Sequence, residues 1–408
     1  MNLSERPSSA SAGTGSYVWR GRIAFGAGVL LAAAGMIYLA GLPTADFEAA
    51  AAAGADTRDY YATRDGTSVH CRDARDAHRC LDGLIERGGK PAVLWLGNSQ
   101  LHAVNQLVPG ERGAASVLQA SLADDERDLI VFSQPNANLQ EHYVLFEALA
   151  EALTVTRSGV VPDSTPGATA GEQVKPLPFE TLLLPLVFDD LRESGLRDGI
   201  VELLAEPVTA RALERTAIGR TLLERYAALA TPVADNPSGR WQRDSEAWLE
   251  SRLSASGDLW ARRGEYRSRF LFGLYAARNR ALGITASSTR RLIPVRYAEN
   301  MAALAALVAS ASRRGLDVRV YIAPIRDDVP LPYDEAEYAA FIADARALAE
   351  QNDAKFADLG SLVDARHWGL TGLRGLDGKT SAEIDFMHFR ASGHAVLADA
   401  LADWLAVR

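Results

Sequence analysis

The chain has 408 residues, 48% of them hydrophobic, and a formal net charge of −9. That length allows one large domain or two ordinary ones around a substantial core. The acidic balance excludes general phosphate-backbone binding, which needs basic surface, so no nucleic-acid partner is expected.

The first element in the chain is "IAFGAGVLLAAAGMIYLAGL", residues 23–42, which carries no charge. A helix needs about 20 apolar residues to cross the hydrocarbon core. Arg20 and Arg22 stand before it, Trp19 and Tyr38 suit the two interfaces, and the next basic residue is Arg58. The positive-inside rule then places residues 1–22 in the cytoplasm and the chain beyond 42 outside it. The expectation is a single-pass anchor in the cytoplasmic membrane with a periplasmic or equivalent extracytoplasmic bulk. A cleaved signal peptide is the rival. Its apolar region is usually shorter, about 7–15 residues, but "EAAAAAGA" at 48–55 offers a place to cut.

Residues 43–88 read as an extracytoplasmic stalk holding a cysteine pair, Cys71 and Cys80 in "HCRDARDAHRC". An exported pair this close is expected to be disulfide-bonded. His70 and His78 beside it offer zinc as the alternative, although the spacing matches no common finger.

From residue 89 to 408 a βα pattern repeats. "PAVLWL" (91–96), "DLIVFS" (128–133), "TLLLPLVF" (181–188), "DVRVYIAPI" (317–325) and "KFADL" (355–359) read as strands. Helices are expected at 116–122, 141–153, 299–315, 333–352 and 392–407, and a loose Gly/Pro/Thr-rich loop at 158–176. Residues about 195–295 are charged, helical and dotted with Trp241, Trp248 and Trp260, and read as an insertion. Alternating strands and helices imply a three-layer α/β/α sandwich around a mostly parallel five-stranded sheet.

Each strand delivers polar residues at its C-terminal end, the edge where such sheets place their sites. The first gives Gly97, Asn98 and Ser99, the second Asn136 and Asn138, the third Asp189 and Asp190. Asp385 and His388 precede the last helix in "EIDFMHFRASGH". Ser99 alone reads equally as a helix cap. The convergence changes that, because a serine hydroxyl needs a base, His388 supplies one, and Asp385 fixes its tautomer. The order Ser, Asp, His is that of α/β-hydrolases, but Leu101 stands where the second Gly of their G-x-S-x-G elbow belongs.

Gly97-Asn98-Ser99 after a strand, with Asp385-Phe386-Met387-His388 before a final helix, resembles the SGNH (GDSL-type) hydrolases. The resemblance implies an SGNH/flavodoxin-like sheet with Ser99 as nucleophile, His388 as base, Asp385 as its orienter and the Ser99 N–H in the oxyanion hole. The middle blocks depart from the family. Asn136, Ala137 and Asn138 replace a Gly, and Phe188-Asp189-Asp190 lacks the usual Asn. A carboxylate at Asp189 repels an oxyanion unless protonated or turned away, and each donor there is worth about 3–4 kcal/mol. Asn136 or Asn138 is therefore the expected substitute donor, with Asp189 in the same oxyanion or substrate-binding set. An anchored chain of this kind resembles the exported SGNH-like proteins of cell-surface polysaccharide acylation, which work beside membrane-bound O-acyltransferases. The resemblance implies an esterase or O-acyltransferase acting on acyl, above all acetyl, esters of a carbohydrate. The alternative is a non-catalytic scaffold of a polysaccharide modification or export complex. No Walker, Rossmann-glycine or metal-cluster motif occurs, so no cofactor and no metal is expected. His102, Trp368 and the Arg326–Asp328 loop are further pocket candidates. His142 reads as a helix-start residue and His394 as surface or core.

Overall fold

The computed structural model describes residues 57–64, 66–87, 90–158, 179–230, 281–285, 287–374 and 380–407, with isolated positions between 245 and 279. Its strands are β1 (Thr57–Asp59), β2 (Thr63–Arg64), β3 (Thr67–Ser68), β4 (His70–Cys71), β5 (Ala92–Gly97), β6 (Ala103–Asn105), β7 (Asp128–Ser133), β8 (Phe179–Leu186), β9 (Asp317–Ile322), β10 (Lys355–Asp358), β11 (Trp368–Arg374) and β12 (Thr380–Phe389). Its α-helices are α1 (Ala77–Glu86), α2 (Ala114–Asp124), α3 (Leu139–Ser158), α4 (Asp198–Leu204), α5 (Pro207–Leu213), α6 (Ala217–Ala230), α7 (Pro294–Arg313), α8 (Glu335–Gln351) and α9 (Ala391–Ala406).

Six strands form one sheet in the order β10-β9-β8-β5-β7-β4, and every neighbouring pair is parallel. The chain leaves β5 to one side for β7 and returns to its other side for β8. β5 therefore ends at the topological switch point of a doubly wound sheet.

Both faces of the sheet are buried, which is why its strands read as unbroken apolar runs. Alternation sorts them. Leu94 and Leu96, Ile130 and Phe132, Leu182 and Leu184, and Val318 and Val320 share a cluster with Leu84 of α1, Phe146 of α3, Leu304 of α7 and Phe341 of α8. Val93 and Trp95, Leu129 and Val131, Leu183 and Tyr321 face the other way, against Leu118 of α2 and Leu397 and Leu401 of α9.

The sequence expectations need three corrections. The sheet has six strands, not five, and is wholly parallel. The sixth strand, β4, comes from the segment expected to be a stalk. In its described part that segment is built into the fold: α1 buries Cys80, Leu81 and Leu84 in the main core, and Arg87 donates to the buried Asp128 carboxylate at 2.7 Å. The expected insertion also begins inside the fold, since Ile200, Leu203, Leu204, Leu213 and Leu222 of α4 to α6 lie in that same core. Trp248, in the expected insertion, is exposed with the Arg252 guanidinium 5.8 Å from its ring. The loop at 158–176 and the apolar run at 23–42 lie outside the described residues, apart from Ser158 at the end of α3. Among the described residues no helix is long and apolar enough to cross a membrane.

Candidate active site

Ser99 is placed by close packing at the end of β5. A Cβ on Gly97 would lie 2.5 Å from Leu101 Cδ1 and 2.9 Å from Pro185 Cγ, so only glycine fits there. Asn98 then caps a 3-10 turn, Ser99–Leu101, by accepting from the Gln100 N–H at 3.0 Å. The cap is thus Asn98, not Ser99, and the segment that follows is this turn and the short strand β6 rather than a helix. The Asn98 amide donates to both oxygens of Asp190 at 2.9 Å, locking the end of β5 to the end of β8. Gln100 donates to the carbonyls of Pro324 (2.7 Å) and Met387 (3.0 Å). These bonds leave the Ser99 hydroxyl turned toward the second half of the site.

That half comes from the β11–β12 hairpin. Trp368 pairs with Phe389 and Leu370 with Ile384, so one residue, Gly369, faces four, Asp385 to His388, which bulge out of the ladder. Asp385 closes the bulge on itself: its Oδ1 accepts the Met387 and His388 N–H groups, both at 2.9 Å. Its Oδ2 lies 3.2 Å from His388 Nδ1, and His388 Nε2 lies 3.0 Å from Ser99 Oγ. The carboxylate demands the tautomer that donates from Nδ1, which leaves Nε2 as acceptor for the serine hydroxyl. Burial would raise the Asp385 carboxyl. The charge and hydrogen bond of His388 and the two backbone N–H groups instead hold it below its ordinary value. Asp385 and His388 are both buried.

Of the residues expected to bind an oxyanion, Asn138 is committed elsewhere. It caps α3, accepting from the Gln140 (3.0 Å) and Glu141 (3.1 Å) N–H groups, while its own N–H reaches Glu141 Oε2 (3.4 Å) and its amide donates to the Gly195 carbonyl (2.8 Å). This is a capping box in which both ends of the amide are used. Asp189 is likewise taken up, by Arg192 (2.8 Å), by Arg290 and by the Tyr333 hydroxyl (3.1 Å). Neither is free to meet an oxyanion. Asn136 stands exposed on the same loop with φ of 52°. The Ser99 N–H opens the 3-10 turn, where donors lack intrahelical partners.

Most remaining candidates are structural. Trp368 is buried, donates to the Val363 carbonyl (2.7 Å) and packs edge-on against Phe389, so it lines core rather than pocket. Arg326 binds Asp328 and the Gly369 carbonyl (3.1 Å), holding the hairpin. His102 Nδ1 lies 2.6 Å from Ser133 Oγ, which also lies 2.5 Å from His70 Nε2. Burial, then the charge of His388, lowers His102 to about 3, and burial does the same for His142 and His394. His394 sits in α9, accepting from the Ala114 N–H (3.2 Å). Cys71 and Cys80 form a disulfide, so neither offers a thiolate to zinc.

Sequence reasoning missed Asn105. Its amide donates to Asp385 Oδ2 and to the Leu370 carbonyl, both at 3.0 Å. Nothing in "LHAVNQ" distinguishes it from any strand-end Asn.

No family model matches the chain, and no curated protein matches it. Among solved structures it is similar to "a putative arylesterase from Agrobacterium tumefaciens str. C58", at 12% identity and a TM-score of 0.30, covering 78% of this chain and 98% of that one. A likeness at that level carries no argument, and the chemistry rests on the side-chain geometry alone.

Proposed function

We propose that the chain is a serine acyl enzyme, an SGNH-type esterase or O-acyltransferase that works through an acyl-Ser99 intermediate. The observation that carries this reading is the continuous Ser99, His388, Asp385 relay, with contacts of 3.0 and 3.2 Å. His388 takes the Ser99 proton as Oγ attacks an ester carbonyl, and Asp385 stabilises the imidazolium that forms. His388 returns the proton to the leaving alcohol. Water or a second hydroxyl, deprotonated by the same imidazole, then releases the acyl group. The Ser99 N–H and the exposed Asn136 amide are the proposed oxyanion donors. The proposed setting is extracytoplasmic, on an anchor at residues 23–42, with a carbohydrate acyl ester as substrate and a membrane-bound O-acyltransferase as partner. The proposed setting draws on the apolar run, the disulfide and the motif resemblance.

One observation favours a second reading, the scaffold: Asn138 and Asp189 are tied up structurally, which thins the supply of oxyanion donors. The two readings are separated by an active-site serine reagent. A fluorophosphonate is expected to label Ser99 alone, and Ser99→Ala and His388→Ala each to abolish aryl acetate turnover. The double variant is expected to be little worse, since such residues act as a unit. Full turnover in Ser99→Ala would end the acyl-enzyme reading. Absence of any labelling, with polymer export intact in the variant, would put the scaffold in its place.

A further inference from the structure

We infer that Asn105 is a positioning residue of this site, an amide clamp that holds the Asp385 carboxylate against His388 and is itself admitted by Gly369. The inference rests on the acyl-enzyme reading and goes beyond it, since neither the motif blocks nor the resemblance points to Asn105.

The two oxygens of Asp385 are held differently. Oδ1 is fixed from within its own bulge by the backbone of Met387 and His388. Among the described residues, Oδ2, the oxygen His388 must find, has one other donor, Asn105 Nδ2. Those bonds to Oδ1 restrain the turn about Cβ–Cγ through one oxygen only, and Oδ2 is set firmly against His388 when it too is gripped, from outside the bulge. Asn105 does that from β6, the strand that follows the Ser99 turn, and it grips the facing strand through the Leu370 carbonyl. One short segment therefore carries both the nucleophile and the clamp on the far end of the relay.

The amide orientation is dictated by its surroundings. The side facing Asp385 and Leu370 meets two acceptors, so it must be the NH2 end. The carbonyl end is then left buried with no hydrogen-bond partner. An orphan buried acceptor is costly, and an Asn held at that cost is kept for its donor end. Gly369 completes the device. A Cβ there would fall 1.9 Å from Asn105 Oδ1 and 2.7 Å from Nδ2, so any other residue would push the amide off the carboxylate.

The test uses the full chain labelled with 15N-histidine. The Nδ1 proton of His388, assigned by its loss in His388→Gln, reports the hydrogen bond to Asp385 directly. In Asn105→Leu, which keeps the branched shape and removes the donor, and in Gly369→Ala, that resonance is expected to move upfield or vanish. The rate of fluorophosphonate labelling at Ser99 is expected to fall about 10- to 100-fold, the worth of a hydrogen bond to a charged group. Thermal midpoint and the other histidine resonances check that each variant is folded. If Asn105→Leu does not fold, Gly369→Ala decides. An unchanged His388 proton and an unchanged labelling rate in a folded variant would overturn the clamp. Failure of the wild-type chain to label would overturn the acyl-enzyme reading instead, and the His388 proton would still report whether Asn105 holds Asp385.

Discussion

Asp190 is a carboxyl kept where a carboxylate is expensive. It is buried beneath the Ser99 turn, and its partner is the neutral Asn98 amide. Burial pushes its carboxyl well above the usual range, against the pull of Asn98, and Asp189 adds to the rise. The sign follows from linkage. An acid whose folded value is raised binds more protons folded than unfolded, so stability falls as pH climbs from its unfolded value, about 3.9, toward the folded one. Asp385 works the other way: held low, it adds stability that is lost as pH falls through its folded value. Asp190→Asn keeps an acceptor for Asn98 and removes the titration. The variant is expected to melt above wild type at pH 7, with the gap closing toward pH 4. A gap that does not change with pH would show that Asp190 carries no such cost.

The elements show which patterns carry information. The four inner strands were legible because sheet layers covered on both sides force largely apolar runs, as in "AVLWLG" of β5 and "DLIVFS" of β7. β4, with two residues, is too short for any period to show, and the charged, cysteine-bearing sequence around it reads as exposed. The Ser99 and Asp385–His388 blocks were legible because their chemistry is rare at such spacing. Their setting was not legible: Asp385 to His388 form a bulge inside a hairpin, where the sequence showed only a block ahead of the last helix. Asn138 was misjudged for a physical reason. Asn at the start of an amphipathic run serves a helix cap as readily as an oxyanion, and Glu141, three residues after Asn138, was the capping-box signal. The distinction can be measured. Asn138→Ala is expected to lower stability by about 0.5–2 kcal/mol while leaving the Ser99 labelling rate unchanged. Asn136→Gly, which suits the φ of 52° there, is expected to do the reverse, slowing labelling with little change in thermal midpoint. A loss of labelling in folded Asn138→Ala would return that residue to the site.

On the scale of the whole molecule, the site lies where the strand order reverses around β5, and residues far apart in the chain close on it: Ser99 from β5, Asp190 from β8, Pro324 after β9, His388 from the hairpin. A site assembled this way needs the whole sheet, so the fold is expected to unfold as one body. The disulfide between Cys71 and Cys80 suits an oxidising compartment, because reducing compartments keep thiols apart. Together with the uncharged run at residues 23–42 behind Arg20 and Arg22, it argues for a chain whose bulk faces outward. The run is long enough to span and longer than a usual signal-peptide core, so the anchor is expected to remain in the mature protein. Intact spheroplasts treated with protease are expected to lose all but a short membrane-protected fragment carrying the N-terminus. Alkaline carbonate extraction of untreated membranes is expected to leave the full-length chain in the pellet. Protection of residues 43–408 until the membrane is permeabilised would reverse the orientation. A mature chain that starts beyond residue 42 and washes off with carbonate would replace the anchor with a cleaved leader, leaving the Ser99 site in place and free of the membrane.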